Sequence, residues 1–188
     1  MGDQLLKKAF EWVEHSSGEG ILSGEEHCLT RDVFQARLDQ VRLALEGKGV
    51  AYTSLLIAII GEVGNNAYDH NLGNWRNVPG TYFSFDAEKG AVVVADRGQG
   101  VLKTLSRVEP ALQNDKDALQ VAFTKTVSGR TPERRGNGLK FVRDVVQSQK
   151  WNLQFYSGTG RAMITNGMDI EFSEENRDIQ GCIVFLSI

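Results

Sequence analysis

The sequence of 188 residues has few cysteines and no long apolar run. Its longest apolar run, L-L-I-A-I-I at residues 55–60, is far shorter than the roughly 20 residues that a membrane-spanning helix needs. The N-terminus carries an early acid, Asp3, and no long apolar segment, so it lacks the pattern of a secretory signal. Cys28 and Cys182 have neither metal-ligand nor C-x-x-C spacing, which favours reduced thiols. These absences predict a cytoplasmic protein without a membrane partner.

The charge balance gives little support to a nucleic-acid partner. The formal net charge is −3, which argues against a dedicated DNA-binding surface. Positive charge is nevertheless concentrated between residues 125 and 143, where six basic residues accompany one acid. The basic residues are Lys125, Arg130, Arg134, Arg135, Lys140 and Arg143. Such a cluster indicates either an anion bound nearby or a solvated loop, and the composition does not separate the two.

The spacing of apolar residues predicts helices first and strands afterwards. Helices are expected at about residues 3–16, 31–46 (with Thr30 as N-cap), 52–70 and 138–149. Residues 81–96 are expected to form two strands joined by a tight turn near residues 88–90, and three further strands, at about residues 151–156, 161–165 and 182–188, are expected with polar turns between them. This order predicts an α+β fold, a two-layer sandwich of helices on one face of a mixed, mostly antiparallel sheet. Residues 1–49 are expected to form a helical extension packed on the main domain, residues 50–188.

The third predicted helix carries the motif E-V-G-N-N-A-Y-D-H. Its residues Glu62, Asn66 and Asp69 lie at i, i+4 and i+7, so they share one helical face. A carboxylate and an amide on a face that packs against a sheet are costly unless something polar lies there. The alternative is an exposed polar stripe at the end of an amphipathic helix.

The second motif is V-V-V-A-D-R-G-Q-G, a strand that delivers Asp96 at its end. A carboxylate in that position can accept a hydrogen bond from an exocyclic amine, as in adenine selection. Gly98 and Gly100 allow a sharp turn and let a flat base approach the backbone. The alternative is an Asp-x-Gly turn that binds no ligand.

The third motif, G-N-G-L-K-F, begins at Gly136 and opens a helix directly after the basic tract. A helix N-terminus exposes unpaired N–H groups and partial positive charge, so it favours an anion. A glycine pair alone is weak evidence in a chain with 20 glycines. The motif is neither a Rossmann fingerprint, which needs a third glycine after a strand, nor a Walker A loop, which needs G-K-[ST].

Together and in this order, the three motifs resemble the N-box, the first G-box and the second G-box of the GHKL superfamily. That superfamily includes type II topoisomerases, mismatch-repair ATPases, histidine kinases and anti-sigma-factor serine kinases. The resemblance covers roughly residues 50–188 and implies the GHKL (Bergerat) ATP-binding fold, with ATP and Mg²⁺ as the cofactors.

The resemblance also implies a role for residues of the first two motifs. Asn66 matches the asparagine that coordinates Mg²⁺, and Glu62 matches the general base of the hydrolytic and serine-kinase branches. Asp69 belongs to the same nucleotide-binding face. Asp96 matches the adenine-binding aspartate, and Gly98 and Gly100 form the turn beneath it.

In the third motif, the resemblance assigns the phosphate-wrapping turn. Gly136, Gly138 and Leu139 match this turn and the start of its helix. Residues 101–135 correspond to the ATP lid, from which Arg134 or Arg135 reaches the γ-phosphate. One departure is Cys182, which follows a glycine where a threonine is familiar in the family.

The resemblance implies an ATP–Mg²⁺-dependent protein (serine) kinase, or a regulatory ATPase, that acts on a protein partner. Histidine kinases usually have asparagine at the position of Glu62, which favours the kinases of the anti-sigma-factor type. Two alternatives stay open: a non-catalytic, nucleotide-gated protein-binding module, and a stand-alone catalytic domain of histidine-kinase type. A homodimer also stays open.

Overall fold

A computed structural model describes residues 3–125 and 137–188 of the chain. The helices are α1 (Asp3–Glu14), α2 (Arg31–Gly47), α3 (Thr53–Asn71), α4 (Gly100–Leu105), α5 (Asp115–Thr124) and α6 (Gly138–Ser148). The strands are β1 (His27–Cys28), β2 (Thr81–Asp86), β3 (Ala91–Asp96), β4 (Asn152–Ile164) and β5 (Glu171–Ser187). The four predicted helices are confirmed to within about two residues at each end. Within the two described ranges, no helix has both the length and the apolar character of a membrane span.

Side-chain hydrogen bonds mark where two of the helices begin. The Thr30 hydroxyl accepts a hydrogen bond from Val33 N at 3.4 Å, which confirms Thr30 as the N-cap of α2. Asn114 caps α5 in the same way, since its Oδ1 accepts from Asp117 N at 2.8 Å. By contrast, α3 begins without a side-chain cap, and its stability comes from tertiary packing of its apolar face.

The five strands form one sheet in the order β1-β2-β3-β5-β4. β2 and β3 form the predicted hairpin, where the Asp86 carboxylate accepts hydrogen bonds from Glu88 N and Lys89 N at the turn. Every described strand pairing is antiparallel. β5 forms a hairpin with β4 and lies between β4 and β3 in the sheet. The predicted α+β class is confirmed, with a sheet that is antiparallel throughout its described pairings rather than mixed.

β4 joins two segments that the sequence predicts as separate strands. Its pairing with β5 shifts register around Gly158 and Gly160. Gly158 has φ +58°, and a Cβ there would lie 2.2 Å from the Asp115 carboxylate of α5. Thr159 N donates a hydrogen bond to the same carboxylate at 3.1 Å. What the sequence suggests as a turn is therefore an irregularity within one strand, shaped by contact with α5.

The sheet is covered on both faces. One face packs against α2, α3, α5 and α6, and Val92 and Val94 of β3 belong to that core. The opposite face packs against α1, where Trp12 joins Val93 and Ile183 in a second core. β3 carries apolar side chains on both of its faces, so a packed element must bury the second face of the sheet as well. α1 thus adds a layer to the predicted arrangement of helices on one face.

The C-terminal end of α1 is held by a buried arginine. The Arg97 guanidinium donates hydrogen bonds to the carbonyl oxygens of Trp12, Val13 and His15, and to Asn77 Oδ1 at 2.9 Å. Carbonyls at a helix C-terminus lack partners within the helix, so Arg97 caps α1. Residues 1–49 therefore contact both faces of the sheet, through α1 on one face and α2 on the other. A domain boundary at residue 49 stays a prediction.

Candidate functional site

A cavity of about 310 Å³ lies between α3, the sheet and the N-terminus of α6. The residues predicted for the site that line it are Glu62, Asn66, Asp69, Asp96, Gly100, Gly138 and Leu139. Gly98 lies directly beside it, as a main-chain donor to Asp96. Three motifs that are distant in the sequence therefore meet at one cavity.

The polar face of α3 points into this cavity. Glu62, Asn66 and Asp69 are half-buried and line it, as their i, i+4, i+7 spacing predicts. Ile59 and Ile60, about one turn earlier on the same helix, belong to the main core. The polar residues therefore do not form a simple solvent-facing stripe at the helix end, because they line a cavity next to the sheet.

Asp96 lies at the base of the cavity, at the end of the fully buried strand β3. Its side chain is buried, and Oδ1 accepts hydrogen bonds from Asn71 Nδ2 at 3.0 Å and from Gly98 N at 2.8 Å. Burial raises the pKa of this carboxyl from 3.8 to about 6, although the hydrogen bonds from Gly98 and Asn71 oppose the rise. The carboxylate is thus ionised at neutral pH, at a cost to the fold.

Asn71 holds Asp96 in place and is a site residue that the motifs do not predict. It ends α3 and is buried, and its Oδ1 accepts a hydrogen bond from Gln99 N at 2.9 Å while its Nδ2 donates to Asp96. The only signal in the sequence is an asparagine just after the first motif, which is equally typical of a helix C-terminus.

The two glycines of the second motif have different functions. A Cβ on Gly98 would lie 1.9 Å from Asn71 Cγ, so glycine is needed there for space. Gly100 has φ +78°, so glycine is needed there for its backbone conformation. Ser157 Oγ accepts a hydrogen bond from Val101 N at 2.9 Å and secures the turn into α4. The sharp turn predicted after Asp96 is present.

The other end of the cavity joins Glu62 to the start of α6. A Cβ on Gly138 would lie 1.8 Å from Glu62 Oε1, so the carboxylate packs directly against this helix N-terminus. The partial positive charge there favours a carboxylate or a phosphate. Glu62 and Asn71 are nine residues apart on α3, which places the two ends of the cavity about 13 Å apart along the helix axis.

Arg31 and Cys182 also line the cavity. Asp69 forms an ion pair with Arg31, the first residue of α2. Cys182 pairs with Asp96 across β3 and β5, and its pKa is raised well above its ordinary value by burial and by the nearby Asp96 charge. Both cysteines are free. Among the described residues, no group of three or more His, Cys, Asp and Glu side chains has the arrangement of a metal site.

Part of the predicted site lies outside the described residues. This applies to Arg134, Arg135 and Gly136, and to the last ten residues of the predicted lid, 126–135. The described part of the lid contains α4 and α5, and α4 begins at the edge of the cavity. The assignment of residues 101–135 as a lid stays a prediction.

The raised pKa of Asp96 predicts a pH-dependent stability difference between the wild type and Asp96→Asn. Well below pH 3.8 the carboxyl is neutral in the folded and the unfolded chain, and well above pH 6 it is ionised in both. The cost of its buried charge therefore arises as the pH rises through this window. The free energy of unfolding of the variant, relative to the wild type, should rise by about 2–3 kcal/mol from pH 4 to pH 7.

Urea denaturation at both pH values measures this difference. Asp86→Asn is the matched control, because hydrogen bonds from Lys89 lower the pKa of Asp86. Its replacement should therefore change in relative stability very little between pH 4 and pH 7, because the linked titration of Asp86 lies below that window. An Asp96→Asn difference that is the same at pH 4 and pH 7 would contradict the buried-charge interpretation.

Comparison with protein-family models and with curated proteins finds no match. Among solved structures, the chain is similar to the ATPase region of Saccharomyces cerevisiae topoisomerase II, with 16% identity, a TM-score of 0.42 and 68% of this chain covered. It is also similar to the 43K ATPase domain of Thermus thermophilus gyrase B, solved in complex with an aminocoumarin, with 16% identity, a TM-score of 0.41 and 81% covered. The chain spans 36% and 40% of those two chains. Likenesses this distant carry no argument about what the chain binds.

Proposed function

We propose that this chain binds ATP with Mg²⁺ in the cavity described above and transfers the terminal phosphoryl group to a protein serine. The observation that carries the proposal is the pairing of two carboxylates with different surroundings in one cavity. Asp96 is buried at one end, and Glu62 lies against a glycine-led helix N-terminus at the other.

The residues at the Asp96 end fit an adenine. An ionised, buried carboxylate is stable only with hydrogen-bond donors around it, and the exocyclic amine of adenine is such a donor. Val94 and Phe155 also line the cavity and supply apolar surface for a flat ring. The volume of about 310 Å³ is at the lower end of the range for small-molecule sites, roughly 300–1,000 Å³.

The residues at the Glu62 end fit a polyphosphate with its cation. The N–H groups that open α6 favour an anion, and Gly138 has no side chain to block its approach. Asn66, one turn of α3 beyond Glu62, offers a side-chain oxygen to Mg²⁺, whose remaining ligands would come from phosphates and water.

In this proposal each residue named above has one role in the reaction. ATP with Mg²⁺ would supply the transferable group and neutralise much of its charge. Glu62 accepts the proton of the attacking hydroxyl, as a general base within reach of the helix N-terminus. Asp96, positioned by Asn71, binds the base of the nucleotide, and the N-terminus of α6 stabilises charge on the transferred group. A cytoplasmic location and a protein partner belong to the same proposal.

Single-turnover incubation with γ-labelled ATP, Mg²⁺ and candidate partner proteins tests the proposal. Label on a protein serine supports a kinase. Release of free phosphate alone replaces the kinase with an ATPase, and bound but unreacted ATP indicates a nucleotide-gated binding module. If calorimetry detects no binding of ATP at millimolar concentration, the proposal is wrong in every form.

A further inference from the structure

One residue of the N-terminal segment contributes to the cavity. Arg31 begins α2, lies outside all three motifs, and lines the same space as Glu62 and Asn66. Its Nη2 donates to Asp69 Oδ1, which is three residues beyond Asn66 on α3. The Arg31 side chain is 44% exposed and that of Asp69 is 22% exposed, so the guanidinium is at the mouth of the cavity rather than in the core.

The stability of the fold does not account for this arginine. A cation in the first turn of a helix is opposed by the partial positive charge of the helix N-terminus. The partly exposed ion pair with Asp69 offsets little of that cost. Thr30 already caps α2, so the helix does not need Arg31 to begin. A ligand that requires a positive charge at this point would explain its presence.

The charges that line the cavity indicate what such a ligand is. Three carboxylates, Glu62, Asp69 and Asp96, face the cavity, and Arg31 is the one arginine or lysine among the described lining residues. A nucleotide phosphate entering this space meets net negative charge unless cations are close. Arg31 lies beside Asp69, between the Asp96 end and the Glu62 end, where the chain from ribose to terminal phosphate would pass.

We propose that Arg31 is a phosphate-binding residue of the nucleotide site, held ready by Asp69. This inference rests on the proposed function. The planar guanidinium can keep one N–H on the Asp69 carboxylate and direct another to a phosphate oxygen near the ribose. The segment before residue 50 then contributes a residue directly to the nucleotide site.

Calorimetric affinities for adenosine, Mg–ADP and Mg–ATP test the assignment. Arg31→Ala should weaken ADP and ATP by about 10–100-fold, the scale for one charge-assisted hydrogen bond, and adenosine by less than about 2-fold. Arg31→Lys keeps the charge without the planar fork and should recover part of the loss. Arg42→Ala is the matched control, since Arg42 is on the same helix and pairs with Asp39 and Glu46.

The adenosine affinity shows whether the cavity of each variant is intact. Equal losses for adenosine and ATP, or an Arg31→Ala variant that binds ATP as the wild type does, would overturn the assignment of Arg31 alone. Failure of the wild type to bind any of the three ligands would overturn the proposed function and the Arg31 inference together.

Discussion

Replacing Glu62 with glutamine is expected to slow phosphoryl transfer or hydrolysis by about 10²–10⁴-fold, while Mg–ATP still binds. Glutamine keeps the size of the side chain and its contact with the start of α6, but its amide cannot accept the proton of an attacking hydroxyl. The effect should therefore be on the rate constant of the chemical step rather than on affinity. Rapid-quench measurement with labelled ATP, together with calorimetry, separates the two.

A neighbouring variant should show the opposite pattern. Asn66→Ala removes the oxygen offered to Mg²⁺, so it should first weaken Mg²⁺-dependent ATP affinity. Glu46→Gln is the control for loss of a helical carboxylate, because Glu46 is on α2 and pairs with Arg42 outside the cavity lining. If Glu62→Gln and Asn66→Ala lower rate and affinity in the same proportion, the proposed division of tasks between them is wrong.

Much of the fold could be predicted because its patterns are local. Two apolar, strand-like segments on either side of a tight turn within residues 81–96 define the β2–β3 hairpin, and Thr30 defines the start of α2. The side of the sheet that α1 covers could not be predicted in this way. Helical periodicity identifies the apolar face of α1, but the partner of that face is set by Arg97 and Trp12, 85 residues apart. Such contacts leave no periodic signal in the sequence.

The same distinction applies to the candidate site. Helical spacing predicts that Glu62 and Asn66 share one face, and the resemblance of the three motifs to a known superfamily implies that Asp96 belongs to the same site, where the structure places it. Asn71 and Arg31 could not be assigned to the site in this way, since the link of each to the site is a contact with a residue 25 or 38 positions away, respectively. An asparagine at a helix end and an arginine at a helix start are common, and only the fold shows that both face one cavity.

Asp96→Asn is expected to weaken ATP binding by about 1–3 kcal/mol, or roughly 5–150-fold, without loss of the fold. Asp96 Oδ1 already accepts from Asn71 and Gly98, so an asparagine that keeps both bonds must place its NH₂ group where the aspartate has Oδ2. An exocyclic amine approaching that position would then face a donor instead of an acceptor.

Calorimetry with ATP and GTP, on the wild type and on both aspartate variants, tests this. Asp86→Asn is the control, because Asp86 ends the neighbouring strand outside the cavity lining and should not affect ATP affinity. The wild type should prefer ATP to GTP, and Asp96→Asn should lose most of that preference while gaining stability at pH 7 from removal of a buried charge. A variant with weaker binding and higher stability is what a ligand-binding carboxylate predicts, whereas a purely structural aspartate predicts a less stable protein with unchanged affinity for ATP.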